Sequence, residues 1–263
     1  MADPLIRVEN LGVSVPDMTR KPPFGAAPRL TILRNITFDV PRGRVLGIVG
    51  GSGSGKTTLG RTLLRLAEPS EGTIRFDGVD IAHTPEERLR PLRRRMQMIF
   101  QDPMSSLNPR HTVARIIASP LGASPRDGRV GEALDQVGLP RHFARRYPHE
   151  LSGGQRQRIG IARAVAQRPD FILADEIVSG LDVSSQAQVL NLLATLVREL
   201  NLTLAFISHD LSVIRRLCDR VIVLQKGEIV EDSETAQLFD APAHPYTREL
   251  LAAIPTPDPT VRW

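Results

Sequence analysis

Cysteine is nearly absent: Cys218 stands alone among 263 residues, which excludes a disulfide framework and every multi-cysteine zinc or iron–sulfur arrangement. Nothing in the chain requires an oxidising compartment, so a cytosolic setting is expected. The opening Met-Ala-Asp-Pro-Leu-Ile-Arg lacks a basic stretch followed by an apolar run of about 7–15 residues, and no export signal is read. Long apolar runs are missing as well, because Arg, Asp or Gly interrupts each Ile/Leu/Val stretch before the roughly 18 residues of a spanning helix. Work at a membrane would go through a partner. Aromatic residues make up only 4% of the chain, and 34 basic against 29 acidic side chains give a net charge of +5. Arginine is dense in Arg88 to Arg95 and Arg141 to Arg163, but a chain this poor in aromatics offers no stacking platform for single strands. The arginine runs read as solvated faces, and no nucleic-acid partner is expected.

What is present has the rhythm of an α/β domain. Leu5 to Val15 and Leu33 to Val40 are apolar and partly alternating, the pattern of half-buried strands in an antiparallel entry sheet. Asp17 to Arg29, flanked and studded by prolines, has no period and reads as a loop. Arg44 to Val49, Phe171 to Ala174 and Leu204 to Ile207 are short apolar runs, the first followed by a glycine-rich turn and a helical pattern over Lys56 to Ala67. Such runs, each ending in polar residues, are expected in a buried parallel sheet that binds ligands at its carboxyl edge. Residues 84–167 are helix-compatible and polar, broken at Asn108-Pro109 and Ser119-Pro120, and part of them is read as a helical sub-lobe. Val221 to Leu224, Lys226-Gly227 and Glu228 to Glu231 read as a hairpin, with a proline-studded tail from about Thr235.

Chemistry concentrates in a few places. Gly50, Gly51, Ser52, Gly53, Ser54, Gly55, Lys56 and Thr57 fit G-x-x-x-x-G-K-[ST] between a strand and a helix, the context that motif requires. Backbone N–H groups converging on phosphates, a helix start favouring negative charge, Lys56 reaching the β and γ phosphates and the Thr57 hydroxyl on Mg2+ make these, with Thr58, candidate contacts for ATP. Phe171-Ile172-Leu173-Ala174-Asp175-Glu176 is an apolar strand ending in two carboxylates. Neighbours on a strand point oppositely, so Asp175 is assigned to the metal and Glu176 to the general base that polarises water. Leu151-Ser152-Gly153-Gly154-Gln155 opens a helix and is a second anion site.

With that pentapeptide the sequence resembles the ABC ATPase family, and Gln101 in Phe100-Gln101-Asp102-Pro103, Asp182 in Ser179-Gly180-Leu181-Asp182 and His209 in Ile207-Ser208-His209-Asp210 follow the family pattern in order. The resemblance implies an α/β P-loop NTPase with a RecA-like core, an antiparallel β subdomain and a helical subdomain. It implies an ATPase domain over 1–235 with the helical part near 84–167, and an extension over 236–263. It also implies head-to-tail pairing, in which Ser152, Gly153, Gly154 and Gln155 meet the γ phosphate held on the partner's P-loop. Gln101 would sense the metal and the water and meet the membrane subunit, Asp182 would link the two sites, and His209 would contact the γ phosphate. Tyr147-Pro148-His149-Glu150, the stretch Leu181 to Leu190 and His244-Pro245-Tyr246-Thr247 are similar to the oligopeptide, dipeptide and nickel importer branch, and within it to the ATPase subunit often called F or E.

The partners so implied are two permease subunits, a second ATPase subunit that is either different or a second copy, and, indirectly, a substrate-binding protein, all at the cytoplasmic face of the inner membrane. Peptides lead as cargo and nickel chelates follow, the six histidines having no metal-ligand spacing. Three positions depart from the family. Val15 stands where an aromatic residue usually stacks on adenine, with Phe24 as the available substitute; Ile177 replaces a proline and Gly180 an alanine, neither removing a functional group.

Overall fold

The computed structural model describes residues 3–21 and 25–253. Strands β1 (Ile6–Pro16) and β2 (Arg29–Val40) pair antiparallel from Ile6 opposite Val40 to Pro16 opposite Arg29. On the other side of β1 lies β4 (Glu71–Phe76), followed by the two-residue β5 (Val79–Asp80), giving a four-stranded sheet in the order β2-β1-β4-β5. Helix α1 (Lys56–Leu63) runs between the sheets from the end of β3 (Val45–Gly50). After α2 (Glu86–Arg93) comes β6 (Met96–Ile99), and after the helices α3 (Pro103–Ser106), α4 (Val113–Ala118), α5 (Gly128–Gln136) and α6 (Gly153–Val165) comes β7 (Phe171–Asp175). The chain continues through α7 (Val183–Leu200), β8 (Thr203–Ile207), α8 (Leu211–Leu217), β9 (Arg220–Gln225), β10 (Glu228–Glu234), α9 (Thr235–Asp240) and α10 (Pro245–Ala252).

The second sheet has the order β10-β9-β3-β8-β7-β6, parallel except for the hairpin strand β10. The hairpin turns at Lys226 (φ 50°) and Gly227 (φ 84°), the paired positive φ values that match strand twist. The central strands are buried on both faces, which is why they read as unbroken apolar runs. Alternation divides their side chains between two cores. Phe171, Leu173, Ala205, Ile207 and Leu46 join β1, β2 and α1 in one. Ile172, Ala174, Leu204, Phe206 and Val45 join α4 to α8 in the other. Helix α1 sits so close to the sheet that a Cβ at Gly60 would lie 2.8 Å from Leu173 and 2.9 Å from Ile207.

Several expectations need adjusting. Helix α1 stops at Leu63, Arg65 takes φ 53° and Leu66 is exposed, so the helix ends short of the expected Ala67. In the expected loop at 17–29, Met18–Arg20 form a 3-10 turn capped by the Asp17 side chain, which accepts from Thr19 N–H; Phe24 lies outside the described residues. Residues 84–167 are not wholly a lobe apart, since β6 is the outer strand of the six-stranded sheet. The helices that do pack together there, α4, α5 and α6, share Val113, Ile117, Val130, Leu134 and Ile159 in one buried cluster.

Candidate functional site

Parallel strands with a common direction bring their carboxyl ends to one edge, and here that edge collects Gly50 from β3, Ser208 and His209 after β8, Asp175 from β7 and Glu176 just after it, and Gln101 after β6. A cleft of about 520 Å³ opens there, lined by Ile32, Ser52, Gly53, Gly55, Lys56, Thr57, Thr58, Glu176 and His209. Gly50 at φ 151° and Gly55 at φ 105° make the loop possible. A Cβ at Gly50 would stand 2.2 Å from the Leu224 carbonyl.

Lys56 is buried, and its Nζ donates to the carbonyls of Gly50 at 2.8 Å and Gly51 at 3.0 Å. An ammonium has three donors, so one remains for the cleft. Burial lowers the Lys56 pKa, opposed by the nearby charges of Glu176 and Asp175. The Gly51 N–H donates to the Tyr246 hydroxyl at 2.7 Å.

Asp175 is 4% exposed and accepts from the Thr57 hydroxyl at 3.3 Å. Burial pushes its carboxyl up, partly offset by that hydrogen bond. A buried carboxylate held by one long hydrogen bond beside a threonine hydroxyl is an oxygen donor pair suited to a hard divalent cation, so these two residues fit Mg2+. Asp175→Asn is therefore expected to stabilise the nucleotide-free chain. A carboxyl raised on folding contributes stability below its unfolded pKa and loses it as pH rises through the folded value. The variant should melt higher than wild type at neutral pH, and the gain should vanish towards acid pH. Thermal melts across pH check this, and a lower Tm at pH 7 would contradict it.

Glu176 lies one residue beyond β7, in the left-handed region at φ 48°, so its separation from Asp175 arises at a turn rather than by strand alternation. That conformation costs a side-chain-bearing residue roughly 1–2 kcal/mol, and it is held by Glu176 N–H on the Ile207 carbonyl at 3.0 Å and the Ser179 hydroxyl on the Glu176 carbonyl at 2.7 Å. The carboxylate reaches into the cleft, where Gln101 Nε2 donates to Oε2 at 3.2 Å and His209 Nδ1 lies 3.5 Å from Oε1. Gln101 is thus brought to Glu176, whereas Thr57 and Asp175 pair with each other.

The pentapeptide is elsewhere. Ser152 caps α6, accepting from Gln155 N–H at 3.3 Å while Gln155 Oε1 accepts from Ser152 N–H at 3.0 Å, a reciprocal capping box. Among the described residues, the cleft lining includes none of Ser152, Gly153, Gly154 and Gln155. Gly153 instead lines a crevice with Gln101, Asp102, Gln157, Ile177, Gly180 and Leu181. Asp182 caps α7, and the Ser185 hydroxyl and N–H, at 2.7 and 2.9 Å, hold its carboxyl below the usual range. The next residue, Val183, is 84% exposed. The N-terminus of α6 at Ser152 and the apolar side chain of Val183 therefore face the outside of this chain.

Two cleft neighbours escaped the sequence reading. Ile32 is the residue skipped where the β1–β2 register slips between Val13/Leu33 and Ser14/Thr31, and such bulges re-aim a side chain. Tyr246 is 195 positions from Gly51, beyond any local pattern. Val15 is 40% exposed and pairs with the exposed Leu30.

A family model described as ABC transporter matches residues 33–179, and one described as the C-terminal region of oligopeptide/dipeptide transporters matches 230–263. A putative peptide import ATP-binding protein of Brucella ovis is 56% identical over 239 residues, 89% of this chain and 75% of that protein. The oligopeptide transport ATP-binding protein OppF of Bacillus subtilis is 50% identical over 242 residues, 88% and 79% of the two chains. Among solved structures, a dimeric post-hydrolysis state of the ATP-binding cassette MJ0796 with ADP and Pi superposes with a TM-score of 0.75 at 28% identity, covering 88% of this chain and 98% of that one.

Proposed function

The chain belongs to the ABC transporter family of ATP-binding subunits, and from that premise we propose how its residues turn over ATP to energise the import of peptides. The observation that carries the mechanism is the meeting of Lys56, Thr57, Asp175, Glu176 and His209 around one cleft. Residues Gly50 to Thr58 cradle the triphosphate, with the free Lys56 N–H directed to its oxygens. Thr57 and Asp175 would hold Mg2+, which when bound offsets phosphate charge. Glu176 accepts a proton from water as the water oxygen bonds the γ phosphorus and the bond to the β–γ bridging oxygen breaks, releasing ADP and phosphate. Gln101 and His209 hold Glu176 in place. Phosphoryl transfer of this kind is mostly positioning and electrostatics, which suits a site whose donors are fixed by strand ends.

The lone cleft lacks Ser152 and Gly154, and the pairing that supplies them is head to tail with a second cassette, a different ATPase subunit or a second copy. Two permease subunits then dock on the pair of cassettes, one of them at this chain's groove of about 530 Å³ lined by Met98, Phe100, Ile116, Pro120 and Arg163, beside the Gln101 segment. In it Arg163 ties α6 to that segment through the Ser106 carbonyl at 2.6 Å. The chain works as a peripheral subunit on the cytoplasmic face of the membrane, and no helix of the described residues is long and apolar enough to cross it. Peptide cargo is supported by the match over 230–263 and the two peptide-transport relatives. A strain lacking the chain should lose uptake of a radiolabelled peptide and keep uptake of nickel; the reverse result would move the reading to nickel chelates.

A further inference from the structure

We propose that Tyr246, in the C-terminal extension, is a positioning residue that fixes the first peptide of the phosphate loop and through it Lys56. The Gly50–Gly51 peptide unit is held from both ends. Its N–H donates to the Tyr246 hydroxyl at 2.7 Å, and its carbonyl accepts from Lys56 Nζ at 2.8 Å. Hydrogen bonds in series polarise one another, so the tyrosine makes the Gly50 carbonyl a better anchor for the ammonium. This unit is also the one most easily turned over. Rotation of a peptide plane is resisted by the Cβ atoms on either side, and here both flanking residues are glycine, so the two hydrogen bonds at its ends help to hold the plane.

Tyr246 is itself firmly seated. It packs against the core that contains the sheet's helical face. His244 caps α10 by accepting from Tyr246 N–H at 3.2 Å, and Glu231 of β10 accepts from the N–H groups of Ala243 at 3.0 Å and His244 at 2.9 Å. The fit at the contact is close, since a Cβ on Gly51 would stand 2.9 Å from the Tyr246 hydroxyl. The extension thus reaches the nucleotide site through the Tyr246 hydroxyl, which rests on the reading of Gly50 to Thr58 as the phosphate cradle.

Tyr246→Phe keeps the ring and removes the hydroxyl. A fluorescent ATP analogue with magnesium should bind about 2- to 12-fold more weakly, the worth of one net hydrogen bond. KM for ATP should rise by the same factor with kcat retained, because a bound triphosphate holds Lys56 once it is in place. Gly51→Ala, whose methyl would stand 2.9 Å from the hydroxyl and displace it while leaving residue 246 a tyrosine, should reproduce the loss, and the double variant should be no worse than the poorer single one. Wild-type affinity in Tyr246→Phe, or losses that add in the double variant, would overturn the proposal. A Lys56→Ala control separates the two readings: if it too binds as wild type, the cradle assignment fails; if it alone loses binding, only the role of Tyr246 does.

Discussion

Glu176→Gln should lower kcat by about 10²- to 10⁴-fold, the range a positioned general base supplies, while ATP binding persists. Glutamine keeps the shape of the side chain, and the turn at φ 48° is fixed by backbone bonds to Ile207 and Ser179 that the substitution leaves alone. What it removes is the acceptor for the proton of the attacking water. ATP then stays unhydrolysed between two cassettes, so size analysis in ATP and magnesium should show a stable dimer that the wild-type chain forms only transiently. Loss of turnover without a dimer would break the link between the cleft and pairing. Turnover within tenfold of wild type would move the base elsewhere, with His209, 3.5 Å from the same carboxylate, the next group to test.

Lys56→Ala should weaken ATP binding by about 10- to 150-fold, the worth of hydrogen bonds to a charged donor. Two effects combine. The phosphates lose the Lys56 ammonium of the cleft lining, and the Gly50 and Gly51 carbonyls lose the donor that orders the loop. Stability should move differently. Burial lowers the Lys56 pKa on folding, and a cation so shifted costs the fold stability below its folded pKa. That relief opposes the loss of the two hydrogen bonds, so the nucleotide-free variant should melt close to wild type at neutral pH. Titration of a fluorescent ATP analogue and thermal melts separate the two quantities; unchanged ATP affinity would remove Lys56 from the cradle.

Much of this site could be read along the chain because its pieces are local. The P-loop is eight consecutive residues, α6 announces itself by the Ser152–Gln155 capping box and buried Ile159, Ala162 and Val165, and β7 is an apolar run ended by carboxylates. Strands buried on both faces need no alternation to be recognised. What could not be read depends on distant contact. Strand β6 is four residues, Met-Gln-Met-Ile, beside an arginine-rich stretch, and among the described residues its only sheet neighbour is β7. The Glu176 turn is a backbone state that no residue type signals. Ile32 enters the cleft through a register slip against β1, and Tyr246 reaches Gly51 through a hydrogen bond across 195 positions. The sequence also spread Asp175 and Glu176 by strand pleat, where a left-handed residue does it. The P-loop and pentapeptide are each complete in this chain, yet the cleft leaves the pentapeptide outside, and that separation gives the pairing reading its physical basis.

The most direct test of that claim is the ATPase rate per mole of purified chain across a dilution series, with mass measured at each concentration. A composite site predicts a rate per chain that falls on dilution as cassettes part, in step with the loss of dimer. A monomer that turns over ATP at a constant rate per chain would contradict it.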